Sequence, residues 1–321
     1  RLVNYDRTVQ RGDKILFVSG SKMKVLDNVQ WVSHTFSDCE LGDKRRTKRL
    51  IKIASNMIAS PEKSLPEQNV EWSDVKAAYR FFDTPEVTFE QIAKQHWQQT
   101  RQTPPGRYLL ISDTTDIDHF FHKATVGLGM LGDGKGRGMQ FHNCLIYDSA
   151  KKLIRGAAGA FIYYRKPMPK DETRTQRLAR VRESGVWGNL VEAIGVAPQD
   201  SHWIHVFDRG GDNFEAMCHI RLSENDWIIR ASRLNRTIIS ESGRSIPLTK
   251  AVESARKLGS YKLHLRSREG VSARTAQIEV SVLKVTYPTP KLHSNWVKQS
   301  GIKQLPMNVV VVQEVNSPKG V

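Results

Sequence analysis

Two aspartates stand where short, mostly apolar runs end. Tyr108-Leu109-Leu110-Ile111 leads through Ser112 to Asp113, and Trp203–Phe207 leads directly to Asp208. Each run has the length and composition of a buried strand. Where two such strands are sheet neighbours, carboxylates at their C-terminal ends converge. Converging carboxylates repel, and hard divalent cations relieve that repulsion by taking oxygen ligands. Two such ions about 3.5–4 Å apart can activate a water and stabilise the leaving oxygen of a phosphodiester. Thr114, His119, Arg209 and Asp212 lie close enough in sequence to the pair to orient a substrate. Aspartates at strand ends also serve as turn residues and helix caps, and spacing alone leaves that reading open.

Composition points the same chemistry at nucleic acid. The 321 residues carry a net charge of +16 with a pI near 9.8, which fits either nucleic acid or an anionic membrane surface as partner. No apolar run approaches the roughly 20 residues of a spanning helix. Ile15-Leu16-Phe17-Val18 is shorter than the roughly 7–15 residues of a signal-peptide core. Nucleic acid, rather than a membrane, is therefore the expected partner. Cys39, Cys144 and Cys218 are odd in number and lack C-x-x-C spacing, which argues against a disulfide framework and structural zinc. The compartment expected is a reducing cytoplasm. Residues 1–22, which begin with Arg1, read as a flexible tail or translated upstream sequence, with an ordered arm as the alternative.

The elements that must position the aspartates follow from periodicity. Residues 23–104 read as a helical domain. After Gly42-Asp43, Leu50, Ile53, Ala54, Met57 and Ile58 fall at helical spacing. On the same segment Arg45, Lys48, Arg49 and Lys52 form one cationic stripe, with Arg46 beside it. That stripe is either a solvated face or a DNA contact. Trp72, Val75, Tyr79 and Phe82 mark a second helix, and Thr88-x-x-Gln91 is a capping box for a third carrying Phe89, Ile92, Ala93 and His96. Over 105–235 the expected elements are strands at 108–111, 139–147 and 156–164, a long helix Glu172–Ile194, a strand at 203–207, a helix Phe214–Leu222 and a strand Trp227–Ala231. The glycine-rich segment 127–138 reads as a loop. In the long helix Leu178, Val181, Val186, Leu190 and Ile194 are core candidates. This order predicts an α/β fold with a ribonuclease-H-like mixed sheet. From 236 to 321 alternating segments predict a β-rich insertion. Its Lys262, His264, Arg266 face either meets a phosphate backbone or is an ordinary exposed sheet face.

Five motifs occur in order: Glu40-Leu41-Gly42-Asp43-x-Arg45-Arg46-Thr47-x-Arg49-Leu50, Ala78-Tyr79-Arg80-Phe81, Asp113-Thr114-Thr115, Glu183-Ser184-x-x-Trp187 and Asp208-Arg209-x-x-Asp212. Together they resemble DDE-type DNA transposases of the insertion-sequence-four family, over residues 36 to 320. The resemblance implies that Asp113 and Asp208 are the first two members of a catalytic acidic triad. It implies Mg²⁺ or Mn²⁺, two ions in the complete enzyme. It also implies a homodimer on the element's inverted-repeat ends, cut-and-paste transposition into target DNA, and a bacterial, nucleoid-associated setting. Arg230 and Arg233 would act against the transposon end, or are ordinary surface charge. The second motif departs from the commoner Asp-Arg-Glu-Ala-Asp by having Gly210-Gly211, which should loosen the loop.

The family's third carboxylate is a Glu in a Tyr-x-x-x-Arg-x-x-Glu helix, and no such motif occurs in these 321 residues. Asn316-Ser317-Pro318-Lys319-Gly320 resembles the segment just before the sheet resumes. Glu269, Glu279 and Glu314 fall in β or loop segments and are not candidates for the role. The expectation is a chain that stops before the catalytic Glu, as a fragment or a decayed copy, and binds end DNA without cleaving it efficiently. The alternative reading is a catalytically inactive DNA-binding fragment that inhibits an intact transposase.

Overall fold

The structure, a computed structural model, describes residues 15–19, 22–132, 134, 136–165, 169, 171–173, 175–176, 183–267 and 272–315. The chain divides into two compact units. One comprises Arg1–Pro167, Asn189–Phe207 and Ile220–Ile228; the other comprises Met168–Gly188, Asp208–His219 and Ile229–Val321.

The first unit opens with an antiparallel hairpin, β1 (Ile15–Ser19) and β2 (Lys22–Leu26), which starts inside the stretch read as a tail. Four helices follow: α1 (Asn28–Phe36), α2 (Lys44–Ala59), α3 (Trp72–Phe82) and α4 (Phe89–Arg101). Their starts are written in side chains that take up otherwise orphaned N–H groups. Asp27 with Gln30, and Thr88 with Gln91, form capping boxes, and Asp43 accepts from the Arg45 backbone N–H. Leu41, Leu50, Ile53, Ala78 and Phe81 make the helical core. Helix α3 forms where Trp72, Val75, Tyr79 and Phe82 mark it. It buries Val75, Ala78 and Phe81, and leaves Trp72, Tyr79 and Phe82 exposed at 65%, 49% and 45%. Small Ala78 shares the packed side with Val75 and Phe81.

The sheet of this unit contains β3 (Gly106–Asp118), β4 (Gly129–Leu131), β5 (Gly136–Asp148), β6 (Leu153–Tyr163), β7 (Ser201–Phe207) and β8 (Asp226–Ile229). The order is β4-β5-β3-β7-β8, with β6 also on β5. The β3–β5, β5–β6 and β4–β5 pairs are antiparallel and β3–β7 is parallel, so this is a mixed α/β sheet. Tyr108, Leu110, Ile146, Ala158, Leu190, Ile194 and Trp203 form its core. The Trp203 indole N–H donates to Thr103 Oγ1 at 3.0 Å. Helix α4 lies against β6 through Gly156, whose φ is +147° and where a Cβ would sit 2.7 Å from Thr100 Oγ1. There the Ala157 N–H donates to His96 Nε2.

Three expectations change. Asp113 does not end its strand: β3 continues to Asp118 because its β5 edge stays paired, while its β7 edge stops at Ser112↔Phe207. The glycine-rich stretch contains the short strand β4. A helix does not run unbroken from Glu172. Residues 171–173 are non-helical, Thr175 and Gln176 are helical, Glu183–Gly185 is a 3₁₀ turn, and Val186–Ile194 forms the helix α5. Ser184 and Gly185 are poor interior helix residues. Val186, Leu190 and Ile194 are buried as expected, whereas Leu178 and Val181 lie outside the described residues.

Helix α6 (Phe214–Leu222) matches its expected bounds. The second unit is built mainly on an antiparallel sheet: β9 (Thr237–Ser240), β10 (Ser245–Pro247), β11 (Arg256–Leu265), β12 (Arg274–Pro288) and β13 (Gln304–Glu314). Two short helices, α7 (Leu248–Val252) and α8 (Asn295–Ser300), accompany it. Ile238, Leu248, Ala251 and Val285 are its core. Strand β11 is exposed along both faces for most of its length, so the alternation of Tyr261, Leu263 and Leu265 does not mark a fully buried side. Among the described residues no helix is long and apolar enough to cross a membrane.

Candidate nucleic-acid interface and carboxylate pair

The parallel β3–β7 register ends at the residues that precede the two aspartates. Ser112 pairs with Phe207 at the last step, and Asp113 and Asp208 are the next residues along each chain segment. Asp113 is exposed, and its Oδ1 accepts from the Thr114 N–H at 2.8 Å. Asp208 is exposed in extended backbone and caps the turn Arg209–Gly211, its Oδ1 accepting from the Gly210 N–H at 2.7 Å. Asp208 thus acts locally as a cap residue, whereas Asp113 stays within β3, paired with Asn143 of β5. Among the described residues, the second oxygen of each takes no protein hydrogen bond. Thr114 Oγ1 lies 2.8 Å from His142 Nδ1. Burial pushes His142 down to about 4, so this imidazole is neutral near pH 7. Gln140 Nε2 donates to Asp116 Oδ1 further along β3. His119 sits beyond the strand, half-buried, with its ring edge-on to His122 at 5.2 Å. Arg209 is exposed.

Asp212 is a different kind of residue. It is 7% exposed and its Oδ2 accepts from the Ser232 N–H at 2.6 Å, the Ser232 hydroxyl at 3.0 Å and the Arg233 N–H at 3.3 Å. It also pairs with Arg236. That carboxylate anchors the segment 232–236 rather than facing a substrate. The Gly210-Gly211 loop is pinned by Asp208 before it and Asp212 after it. A Cβ on Gly210 would lie 3.0 Å from Trp187 Cζ2, so the glycine permits a close approach rather than loosening the loop.

Arg230 and Arg233 are exposed. Arg233 lines an open cleft of about 1100 Å³ together with Ser232, Asn235, Arg236, Tyr287 and Lys291. The Arg236 guanidinium lies 4.8 Å from the Tyr287 ring centroid. Sequence reasoning missed Arg236, Tyr287 and Lys291, because they are brought together only by the fold. Glu279 pairs with Lys257 and Glu314 with Arg274, while Glu269 lies outside the described residues. Among the described residues no three His, Cys, Asp or Glu side chains group as a metal site. The three cysteines are buried, and burial pushes their thiols up to about 11 at Cys39 and about 12 at Cys144 and Cys218.

On the helical segment the cationic stripe is partly neutralised. Arg49 and Lys52 both bond Asp74, at 2.8 and 2.6 Å, and those bonds hold the Asp74 carboxyl below the usual range. Arg45 pairs with Asp43 at 2.8 Å. Arg46 bonds the Leu41 carbonyl and reaches Glu86 at 3.4 Å. Lys48 is exposed and makes no ion pair among the described residues. The exposed side of α3 carries Trp72, Lys76, Tyr79 and Arg80, with the Lys76 ammonium 5.6 Å from the Trp72 ring centroid. The i, i+4, i+8 spacing of Trp72, Lys76 and Arg80 was available in the sequence as a signal for this face.

Residues 28–87 match a family described as transposase DNA-binding. The match runs from the start of α1 through α2 and α3, so the cationic side of α2 and the aromatic and cationic side of α3 both lie inside it. It supports a transposase or DNA-binding role, with DNA as partner.

Proposed function

We propose that this protein is a cut-and-paste DNA transposase of the insertion-sequence-four type, with a ribonuclease-H-like core and an acidic site built on Asp113 and Asp208. The observation that carries the reading is the β3–β7 register, which ends one residue before each aspartate. The match at residues 28–87 supports DNA as the substrate. The donor set fits hard cations: two exposed carboxylates, each with one oxygen held by a backbone N–H and the other without a protein partner among the described residues. Bound there, Mg²⁺ or Mn²⁺ would supply charge neutralisation and an activated water for phosphodiester hydrolysis.

The chain's own residues supply binding and position. The cationic faces of α2 and α3 grip duplex phosphates, and Arg230 and Arg233 take the element end. Thr114 and Arg209 orient the reacting strand, whereas His119, beyond the end of the extended β3, stands too far from Asp113 for that role. Hydrolysis at the inverted-repeat end frees a 3′ hydroxyl, which then joins target DNA, and two copies of the chain pair two ends.

The test titrates Mn²⁺ into wild type, Asp113→Asn and Asp208→Asn, and follows nicking of a labelled end duplex. Both variants should lose metal affinity, and with it the weak nicking expected of a site with two of the family's three carboxylates. Equal Mn²⁺ affinity in all three proteins overturns the shared site. Tight, salt-sensitive duplex binding without any nicking by wild type would instead favour a DNA-binding protein that competes with an active transposase.

A further inference from the structure

The loop that follows β3 holds two large apolar side chains in solvent, and it is built to do so. Phe120 and Phe121 are 52% and 88% exposed, with ring centroids 5.3 Å apart. The loop around them is braced. The Phe120 N–H donates to Asp118 Oδ1 at 2.8 Å, and the His119 N–H donates to the Arg137 carbonyl at 2.7 Å. The Arg137 guanidinium donates to the carbonyls of His122, Lys123 and Thr125. Its partners here are neutral carbonyls. Beneath Phe120 is an open cleft of about 550 Å³ lined by Phe120, Lys123, Met130, Arg137, Tyr164 and Arg165, on a floor of Leu128 and glycine backbone. Tyr164 and Met130 are themselves 50% and 44% exposed. Three cations line the cleft, and no carboxylate does among the described residues.

Aromatic faces beside cations match the two chemistries of a nucleotide: a flat apolar base and a charged phosphate. A second copy of a protein would need an acidic patch to meet Lys123 and Arg137, whereas DNA offers its backbone. A paired duplex hides its base faces, so the rings can stack only where a base is unstacked. We infer that the Phe120–Phe121 loop and the cleft beneath it form a further DNA contact that takes an unpaired or unstacked nucleotide. This rests on the DNA-binding reading above. Asp118 lies five residue steps beyond Asp113 along β3, about 17 Å at roughly 3.4 Å per step, so this contact is distinct from the carboxylate position.

The experiment compares the full chain on three labelled oligonucleotides: a paired duplex, the same duplex with a central unpaired stretch, and a single strand carrying 2-aminopurine. Wild type should prefer the unpaired stretch and quench 2-aminopurine. Phe120→Ala/Phe121→Ala should weaken the unpaired arm by at least roughly fivefold and abolish quenching, leaving the paired duplex unchanged. Phe121→Trp should preserve both signals, and Lys123→Glu should weaken the unpaired arm without removing a ring. Paired-duplex binding with no preference for unpaired DNA overturns this inference alone. Retained quenching in the double Ala variant also overturns it. So does a change of molar mass by light scattering with all DNA affinities intact, which would assign the patch to a second protein copy. Failure to bind any of the three DNAs overturns the DNA reading itself.

Discussion

Two aspartates four residues apart have opposite duties. Asp208 is exposed, its second oxygen without a partner among the described residues, and Asn caps turns about as well as Asp, so Asp208→Asn should leave stability within roughly 0.5 kcal/mol of wild type. Its cost should appear in Mn²⁺ affinity and nicking. Asp212 and Arg236 have side chains only 2% and 9% exposed. Removing one partner of a buried pair strands the other, so Asp212→Asn should destabilise by about 3–5 kcal/mol in urea unfolding. Equal stabilities for the two variants would show that the anchoring role is misassigned. Sequence reasoning could place both aspartates near a site, but burial separates their roles, and burial depends on Ser232 and Arg233 arriving from a distant segment.

At the scale of elements, α2 and α3 should divide the work of gripping DNA unequally. Each free phosphate-contacting cation contributes about 0.9 to the salt slope of log affinity. Lys76→Ala/Arg80→Ala should flatten that slope by nearly 2, if both reach phosphates. Arg49→Ala/Lys52→Ala should flatten it less, because both groups already share Asp74. Identical slope changes would return α2 to first place. Strand pairing offers a second test. A Cβ at Gly138 would lie 2.0 Å from the Ile117 carbonyl oxygen, a backbone atom in the paired strand. Gly138→Ala should therefore destabilise by about 1–3 kcal/mol, measured by thermal unfolding. Most elements were legible in the sequence. Capping at Thr88, the apolar runs at 108–111 and 203–207, and helix Phe214–Leu222 all announce themselves locally. The continuation of β3 to Asp118 was not legible, since Asp113-Thr114-Thr115-Asp116 is polar and stays extended only because β5 supplies its hydrogen bonds. Nor was the α3 face, because hydrophobic periodicity cannot say that small Ala78 packs while Trp72 remains outside.

For the molecule as a whole, acid should be a weakness. Burial pushes His142 and His219 down to about 4 and His205 down to about 3, from an ordinary value near 6.5. The unfolded chain therefore takes up protons first as pH falls. Their stabilising contribution is complete above about 6.5 and is lost progressively towards pH 4. At about 1.36 kcal/mol per unit, each depressed histidine costs roughly 2 kcal/mol between pH 6.5 and 5. The melting temperature should fall steadily over that window, and His205→Gln, which cannot take the proton, should flatten the slope. A melting temperature constant from pH 7 to 5 would contradict this account.

The parallel pairing of β3 with β7 also has a consequence in time. Synthesis delivers β5 soon after β3, so one edge of β3 is closed early. The other edge must wait for Ser201–Phe207, with 82 residues between the end of β3 and the start of β7. At roughly 5–20 residues per second that is about 4–16 s on the ribosome. During that interval Tyr108 and Leu110 line an uncovered sheet margin, a template for pairing with another nascent chain. Ribosomes stalled before residue 207 should therefore recruit holdase chaperones, and stalling a few tens of residues beyond it should release them.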